Sequence, residues 1–217
     1  MFAFSAESDQ SFLNARIAGD IARGILAQLP EGRIVMTSHR AVVSADARIV
    51  SGHELSFREN AELTRYCTLL IGCSSGITWL ATSEWAKRLP TIQLLTRGKG
   101  VFASVAHDHE HFGLPVDHII EMTDCPLEDV VDCVVVARRE SFAEAKTRYH
   151  VRLQPDFDFY LSTLLYLIRK GNYRDALASN WHILRRYGPR RSVLRLHGCT
   201  LKYILRHAFG IRGRRCG

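Results

Sequence analysis

The chain has 217 residues, of which 47% are apolar and 24% charged, and a formal net charge of +7. That composition belongs to a folded protein with room for a sizeable core and excludes a disordered chain. No apolar run approaches the roughly 20 residues of a membrane span, and Met1-Phe-Ala-Phe-Ser5 lacks the basic start and long apolar stretch of a secretory signal, so a cytoplasmic protein is expected.

Along the chain, Met1–Ala6 alternates as a strand and Glu7–Gln10 is a polar loop. Phe12–Leu29 carries Leu13, Ile17, Ile21, Ile25 and Leu29 on one face, a helix stopped by Pro30. Strands are expected at Arg33–Thr37 and Ala47–Val50. Ser56 and Glu59 form a capping-box pattern ahead of a short helix, Phe57–Tyr66. The apolar run Leu69–Ile71 reads as a buried strand that passes through Gly72-Cys73-Ser74-Ser75-Gly76 into a helix, Ile77–Lys87. Pro90–Leu95 is the next strand, Arg97–Leu114 a polar, His-rich loop, and Asp117–Met122 a last short strand. Helices are then expected at Leu127–Tyr149, Phe157–Lys170, Tyr173–Tyr187 and Val193–Phe209. Gly171–Leu177 resembles one tetratricopeptide helix junction, but a single copy makes no repeat array. The fold class expected is α/β: a parallel Rossmann-like sheet with helices on both faces (1–125), then an all-helical extension (126–217).

Charge is distributed unevenly. From Arg185 to Gly217 there are ten Lys and Arg residues and no acid, whereas the first 184 residues hold 19 basic and 22 acidic residues, a net −3. Such a block suits anionic lipid or nucleic acid, and equally a solvated helix face. The body shows no alternation of basic and aromatic residues of the kind that binds single strands, which argues against a nucleic-acid partner.

The six cysteines form no C-x-x-C pair, which argues against a zinc ribbon or a disulfide scaffold. Cys67 and Cys133 sit among apolar neighbours and read as buried thiols. His107-Asp-His-Glu-His111 would converge on one face if extended. No cysteine or spaced carboxylate completes a metal set, so neither a metal nor a cofactor is expected.

The richest segment is the strand–turn–helix at 69–87. In parallel sheets ligands bind beyond the carboxyl ends of strands, where this turn must lie. The first helical amides have no partner inside the helix and carry partial positive charge, which suits phosphate or an oxyanion. The turn is neither a Walker A loop nor a dinucleotide fingerprint. Glu62-Leu63 to Tyr66, the strand Thr68–Gly72, the turn Ser74-Ser75-Gly76, the helix residues Trp79-Leu80-Ala81 and the following Leu89-Pro90-Thr91-Ile92 together resemble the C-terminal, nucleotide-sugar-binding half of GT-B glycosyltransferases of the heptosyltransferase-like kind. The resemblance spans about residues 1–125. It implies a nucleotide-sugar donor held by Gly72, Cys73, Ser74, Ser75, Gly76, Ile77 and Thr78, with Ser5, Ser8 and His39 along the same edge, and a glycan or lipid-linked acceptor. Two positions depart from the family pattern: Ser74 stands where many members have Asp, and Thr78 where a His follows Gly by two. The chain begins at a strand, with no room for the acceptor-holding domain, so it is expected to be one half of an enzyme or a remnant that binds. No catalytic residue is assigned. The basic tail would suit a peripheral place on the inner face of the membrane.

Gly72-Cys73-Ser74-Ser75-Gly76 also satisfies the G-x-S-x-G pattern of a nucleophile elbow, with Ser74 as nucleophile and Asp117 or Asp124 with His150 as partners. No acid follows the next strand before Asp108, and no oxyanion segment precedes the turn. A non-catalytic parallel-sheet binding module is the third alternative.

Overall fold

Among the described residues six short strands pair in parallel in the order β3-β2-β1-β4-β5-β6. They are Phe2–Ala3 (β1), Ile34–Thr37 (β2), Ile49–Ser51 (β3), Leu70–Gly72 (β4), Thr91–Leu95 (β5) and Ile119–Thr123 (β6). The structure is a computed structural model, and it describes residues 1–3, 11–73, 75–80, 83–97, 104–153 and 157–209. The expected strand Met1–Ala6 is therefore seen only to Ala3. The chain divides into two units, 1–154 and 155–217.

Strand alternation decides which face each side chain covers. Phe2, Met36, Ile71, Ile92, Leu94, Ile120 and Met122 build one face of the core with helices Ala15–Gln28 (α1) and Leu127–Arg139 (α5). Ala3 and Leu70 face the other way with Leu89 and Ile77; Ile119 does so with Val105, Ala106 and Trp79. Helices Gly76–Leu80 (α3) and Val105–His111 (α4) thus lie on that second face, and Phe57–Leu63 (α2) packs beside α3. The parallel Rossmann-like sheet with helices on both faces is as expected.

Several boundaries differ from those expected, each for a local reason. α1 begins only at Ala15, because the Asn14 side chain accepts the Ile17 N–H at 3.0 Å and caps it there. Ser11, between the expected loop and the expected helix, donates from its hydroxyl to the Leu94 carbonyl at 2.6 Å. The capping box at Ser56 and Glu59 is present, and α2 runs to Leu63 before tightening into a 3-10 turn, Thr64–Tyr66. The expected polar loop Arg97–Leu114 contains α4, capped by Ser104. The expected helix Leu127–Tyr149 is two: α5 stops at Arg139, and Ser141 caps a new helix, Phe142–Tyr149 (α6), by accepting the Glu144 N–H at 3.0 Å.

The boundary expected at 125/126 lies at 154/155. The reason is burial. α5 puts Val130, Val131, Cys133, Val134, Val135 and Val136 into the sheet core against α1, and α6 buries Ala145 in the same core and packs against β6. Both helices belong to the sheet unit. The all-helical extension is accordingly Phe157–Arg169 (α7), Tyr173–Tyr187 (α8) and Arg191–Phe209 (α9), packed around Leu164, Ile168, Ala176, Ile183, Val193 and Leu196. The Tyr160 hydroxyl donates to that of Tyr187 at 2.6 Å, joining α7 to the end of α8.

Candidate functional site

The strand order reverses direction between β1 and β4: the chain winds outward through β2 and β3, then returns to build β4, β5 and β6 on the other side. Diverging connections leave a crevice at such a switch point, beyond the carboxyl ends of the two strands, and ligands of open α/β sheets occupy it. β4 delivers the Gly72–Gly76 turn to that place.

The turn is built from short-range bonds. The Cys73 N–H donates to the Ala3 carbonyl at 3.3 Å, tying the turn to the end of β1. The Ser75 N–H donates to the Cys73 carbonyl at 3.0 Å, and the Trp79 N–H to the Ser75 carbonyl at 3.1 Å. Ser75 caps α3: its Oγ accepts the Thr78 N–H at 3.3 Å and lies 3.1 Å from Thr78 Oγ1. With the amides of Thr78 and Trp79 satisfied, those of Gly76 and Ile77 are the first-turn donors that helix geometry leaves without an acceptor in the helix. Gly76 is exposed, and the Phe57 ring stands over it, 3.5 Å from where a Cβ would be.

Gly72 is glycine because of Thr78. A Cβ on Gly72 would lie 2.6 Å from Thr78 Oγ1 and 3.1 Å from its Cγ2. Thr78 is 1% exposed, so its side chain fills the space that Gly72 leaves and braces the turn.

The residues expected in the site therefore separate. Gly72, Ser75, Gly76, Ile77 and Thr78 come together at the turn, with Gly76 exposed, Ser75 half-buried, Ile77 half-buried against Leu70 and Leu89, and Thr78 buried. Cys73 is fully buried in the core beneath the sheet, so its thiol faces α1 and α5 and not the crevice. His39 is exposed two residues beyond the end of β2, on the same edge one strand over from β1. Ser5, Ser8 and Ser74 lie outside the described residues.

Of the residues proposed to complete a nucleophile elbow, only Asp124 lies at the carboxyl edge with the turn. Asp117 precedes β6 and lies at the amino edge of the sheet, opposite to the turn. Asp124, beyond β6, accepts the Arg97 N–H at 2.9 Å through Oδ2 and holds the end of β5. His150 sits beside the middle of β6, two strands from β4, where its Nδ1 accepts the Glu121 N–H at 3.0 Å. That bond fixes the neutral tautomer with the proton on Nε2, and burial holds the imidazole below its ordinary pKa.

The histidine run is helical, not extended. Residues two apart on α4 point to different sides, so His107 and His109 do not converge. His109 is buried, with Nδ1 3.0 Å from the Pro115 carbonyl and its ring 5.7 Å from that of His118. Among the described residues no group of three His, Cys, Asp or Glu side chains could hold a metal ion. Burial pushes the Cys133 thiol up to about 12 and that of Cys125 up to about 11, so both stay protonated at neutral pH. Cys67, expected buried, is only partly so.

Sequence reasoning missed a polar cluster under the second face. Glu121, 1% exposed, points from β6 to the start of α4, where its Oε1 accepts the Ser104 hydroxyl at 2.6 Å and the Ala106 N–H at 3.1 Å. Gln93 on β5 accepts the Val105 N–H at 3.0 Å. Burial raises the Glu121 pKa. The only local signal was a Glu and a Gln inside otherwise apolar strands. A cleft of about 350 Å³ lies at the amino edge of the sheet, floored by Phe2, Ile34 and Ile71; it is on the opposite side from the switch-point crevice.

Comparison with protein-family models, with curated proteins and with solved structures finds no match. Among the described residues no helix is long and apolar enough to cross a membrane.

Proposed function

We propose that this chain is the donor-binding half of a glycosyltransferase, holding the diphosphate of a nucleotide sugar at the Gly72–Gly76 turn for transfer to a glycan or lipid-linked acceptor. One observation carries the proposal: the strand order puts the topological switch between β1 and β4, and the Gly/Ser turn sits on the carboxyl end of β4. The donors available there suit a diphosphate. The amides of Gly76 and Ile77 and the Ser75 hydroxyl would stabilise negative charge as it grows on the departing nucleoside diphosphate. The acceptor would be held by another domain or chain, and the enzyme would work peripherally at the inner face of the membrane. A serine esterase would need an acid and a histidine beside Ser74; Asp117 stands at the opposite sheet edge, Asp124 accepts the Arg97 amide beyond β6, two strands from β4, and His150 is committed to the Glu121 amide.

The test is thermal stabilisation by nucleoside diphosphates. The wild-type chain should melt higher with at least one of UDP, GDP, ADP or CDP. Gly76→Asp puts a carboxylate at the first residue of α3, where the helix dipole tolerates it but a diphosphate would be repelled. That variant should fold normally and lose the stabilisation. A wild-type melt indifferent to all four would overturn the proposal, as would a Gly76→Asp variant that responds as strongly as wild type.

A further inference from the structure

We infer that α9 is a docking surface for anionic lipid, which seats the helical unit on a membrane through its leucines and arginines together. The inference rests on the membrane placement proposed above and not on the nucleotide-sugar site.

α9 has two faces. Val193, Leu196 and Thr200 are buried in the three-helix core, as the 3.6-residue period requires. The opposite face carries a second apolar stripe that no core residue explains: Leu194, Leu201 and Leu205 are 51%, 43% and 52% exposed. At about 100° per residue these three fall within about 40° of one another, and Arg191, Arg195 and Lys202 run alongside them. α9 contains four Arg and Lys residues and no acid. α8 repeats the arrangement, with Leu177 and Trp181 exposed between Arg174 and Arg185. Residues 155–217 hold 13 basic and three acidic residues, while residues 1–154 are net −3, so the positive charge is concentrated where the exposed leucines are.

Charge and apolarity together select the occupant. A second copy of α9 would bring arginine against arginine, since the helix carries no acid of its own. A nucleic acid would satisfy the arginines but leave three leucines against phosphate and water. An anionic bilayer satisfies both. Leucine side chains enter the boundary of the acyl chains while the basic ridge lies among phosphate and carboxylate headgroups, as amphipathic interfacial helices do.

The experiment is flotation of the full chain with phosphatidylcholine vesicles, with and without phosphatidylserine. Binding is expected to the anionic vesicles, weakened by high salt, and much less to the neutral ones. Leu194→Gln/Leu201→Gln/Leu205→Gln keeps every charge and should lower partitioning at least tenfold. Arg191→Gln/Lys202→Gln removes two charges from the solvent side and should lower it about 30-fold. Helix content by circular dichroism shows whether each variant folds, and the charge variant decides the matter if the leucine variant does not. Gly76→Asp should float like wild type, which separates this surface from the nucleotide site. No flotation of the wild-type chain, or equal flotation with neutral vesicles, would overturn the inference. So would an unchanged leucine variant, a duplex oligonucleotide that binds while vesicles do not, or a dimer in solution that the leucine variant dissolves.

Discussion

Gly72→Ala is the sharpest test of how the candidate site is built. The added methyl would lie 2.6 Å from Thr78 Oγ1 and 3.1 Å from Thr78 Cγ2, and Thr78 is 1% exposed and has nowhere to go. Overpacking of this kind costs about 1–3 kcal/mol. Displacing Thr78 also breaks its pairing with Ser75 and loosens the cap of α3, about 1 kcal/mol more, so a loss of about 3 kcal/mol is expected. Thr78→Ala alone forfeits the hydroxyl bond to Ser75, about 1 kcal/mol. The two together should cost less than their sum, because the remaining Thr78 Cβ is 3.4 Å from the new methyl, an ordinary contact. A coupling of about 2 kcal/mol is expected from the double-mutant cycle. The assay is urea unfolding in a Trp181→Phe background, where fluorescence reports Trp79 and Trp85 of the sheet unit alone. Additive costs, or a Gly72→Ala variant within about 0.5 kcal/mol of wild type, would refute the claim that Thr78 dictates glycine here.

Three further outcomes are expected. Glu121→Gln keeps an acceptor for Ser104 and Ala106 and removes a buried charge. Because burial raises the folded pKa, the folded state binds the proton more tightly and wild-type stability falls as pH rises above the ordinary value of 4.5; the variant should gain on wild type as the pH is raised above that value in paired urea titrations, and a constant difference would count against the buried carboxyl. His150 has the opposite sign: its pKa is lowered in the fold, so stability is full above the ordinary 6.5 and falls as the pH drops below it. His150→Gln, which keeps an acceptor for the Glu121 amide, should flatten that acid limb, and an unaltered limb would exclude His150 as its source. In the α1–α5 contact, a Cβ on Gly24 would meet Val131 Cγ2 at 2.8 Å; Val131 is stiff at χ1, so Gly24→Ala should lower the urea midpoint and Val131→Ala should restore most of it.

What the sequence made legible was whatever is decided within a few residues. Ser56 and Glu59 are three apart and cap each other, and they were readable as such. The strand and the start of the helix at 70–80 were readable for the same reason, but the helix expected over Ile77–Lys87 ends at Leu80, and Ser83–Ala86 form turns. α4 was not, because Val105–His111 has no apolar stripe and its start is held by Glu121 and Gln93, more than ten residues away. The break at Glu140-Ser141 was hidden inside a charged stretch that continues the helical pattern, although Ser141 with Glu144 is itself a cap signal. The assignment of α5 and α6 to the sheet could not be read locally, since an amphipathic helix announces an apolar face and not its partner. At the turn, residue types suggested a ligand cradle, but only packing separates Thr78 the brace and Cys73 the core thiol from Ser75 and Gly76 at the surface.

The segment following α6 lies along β6. The Val151 N–H donates to the Glu121 carbonyl at 2.8 Å while the Glu121 N–H donates to His150 Nδ1, so the central residue of the outermost strand has both backbone groups occupied. At the other margin β3 is only three residues long. A sheet finished in this way offers little backbone to an incoming strand. Growth by strand addition, whether by a partner or in aggregation, is discouraged at both margins.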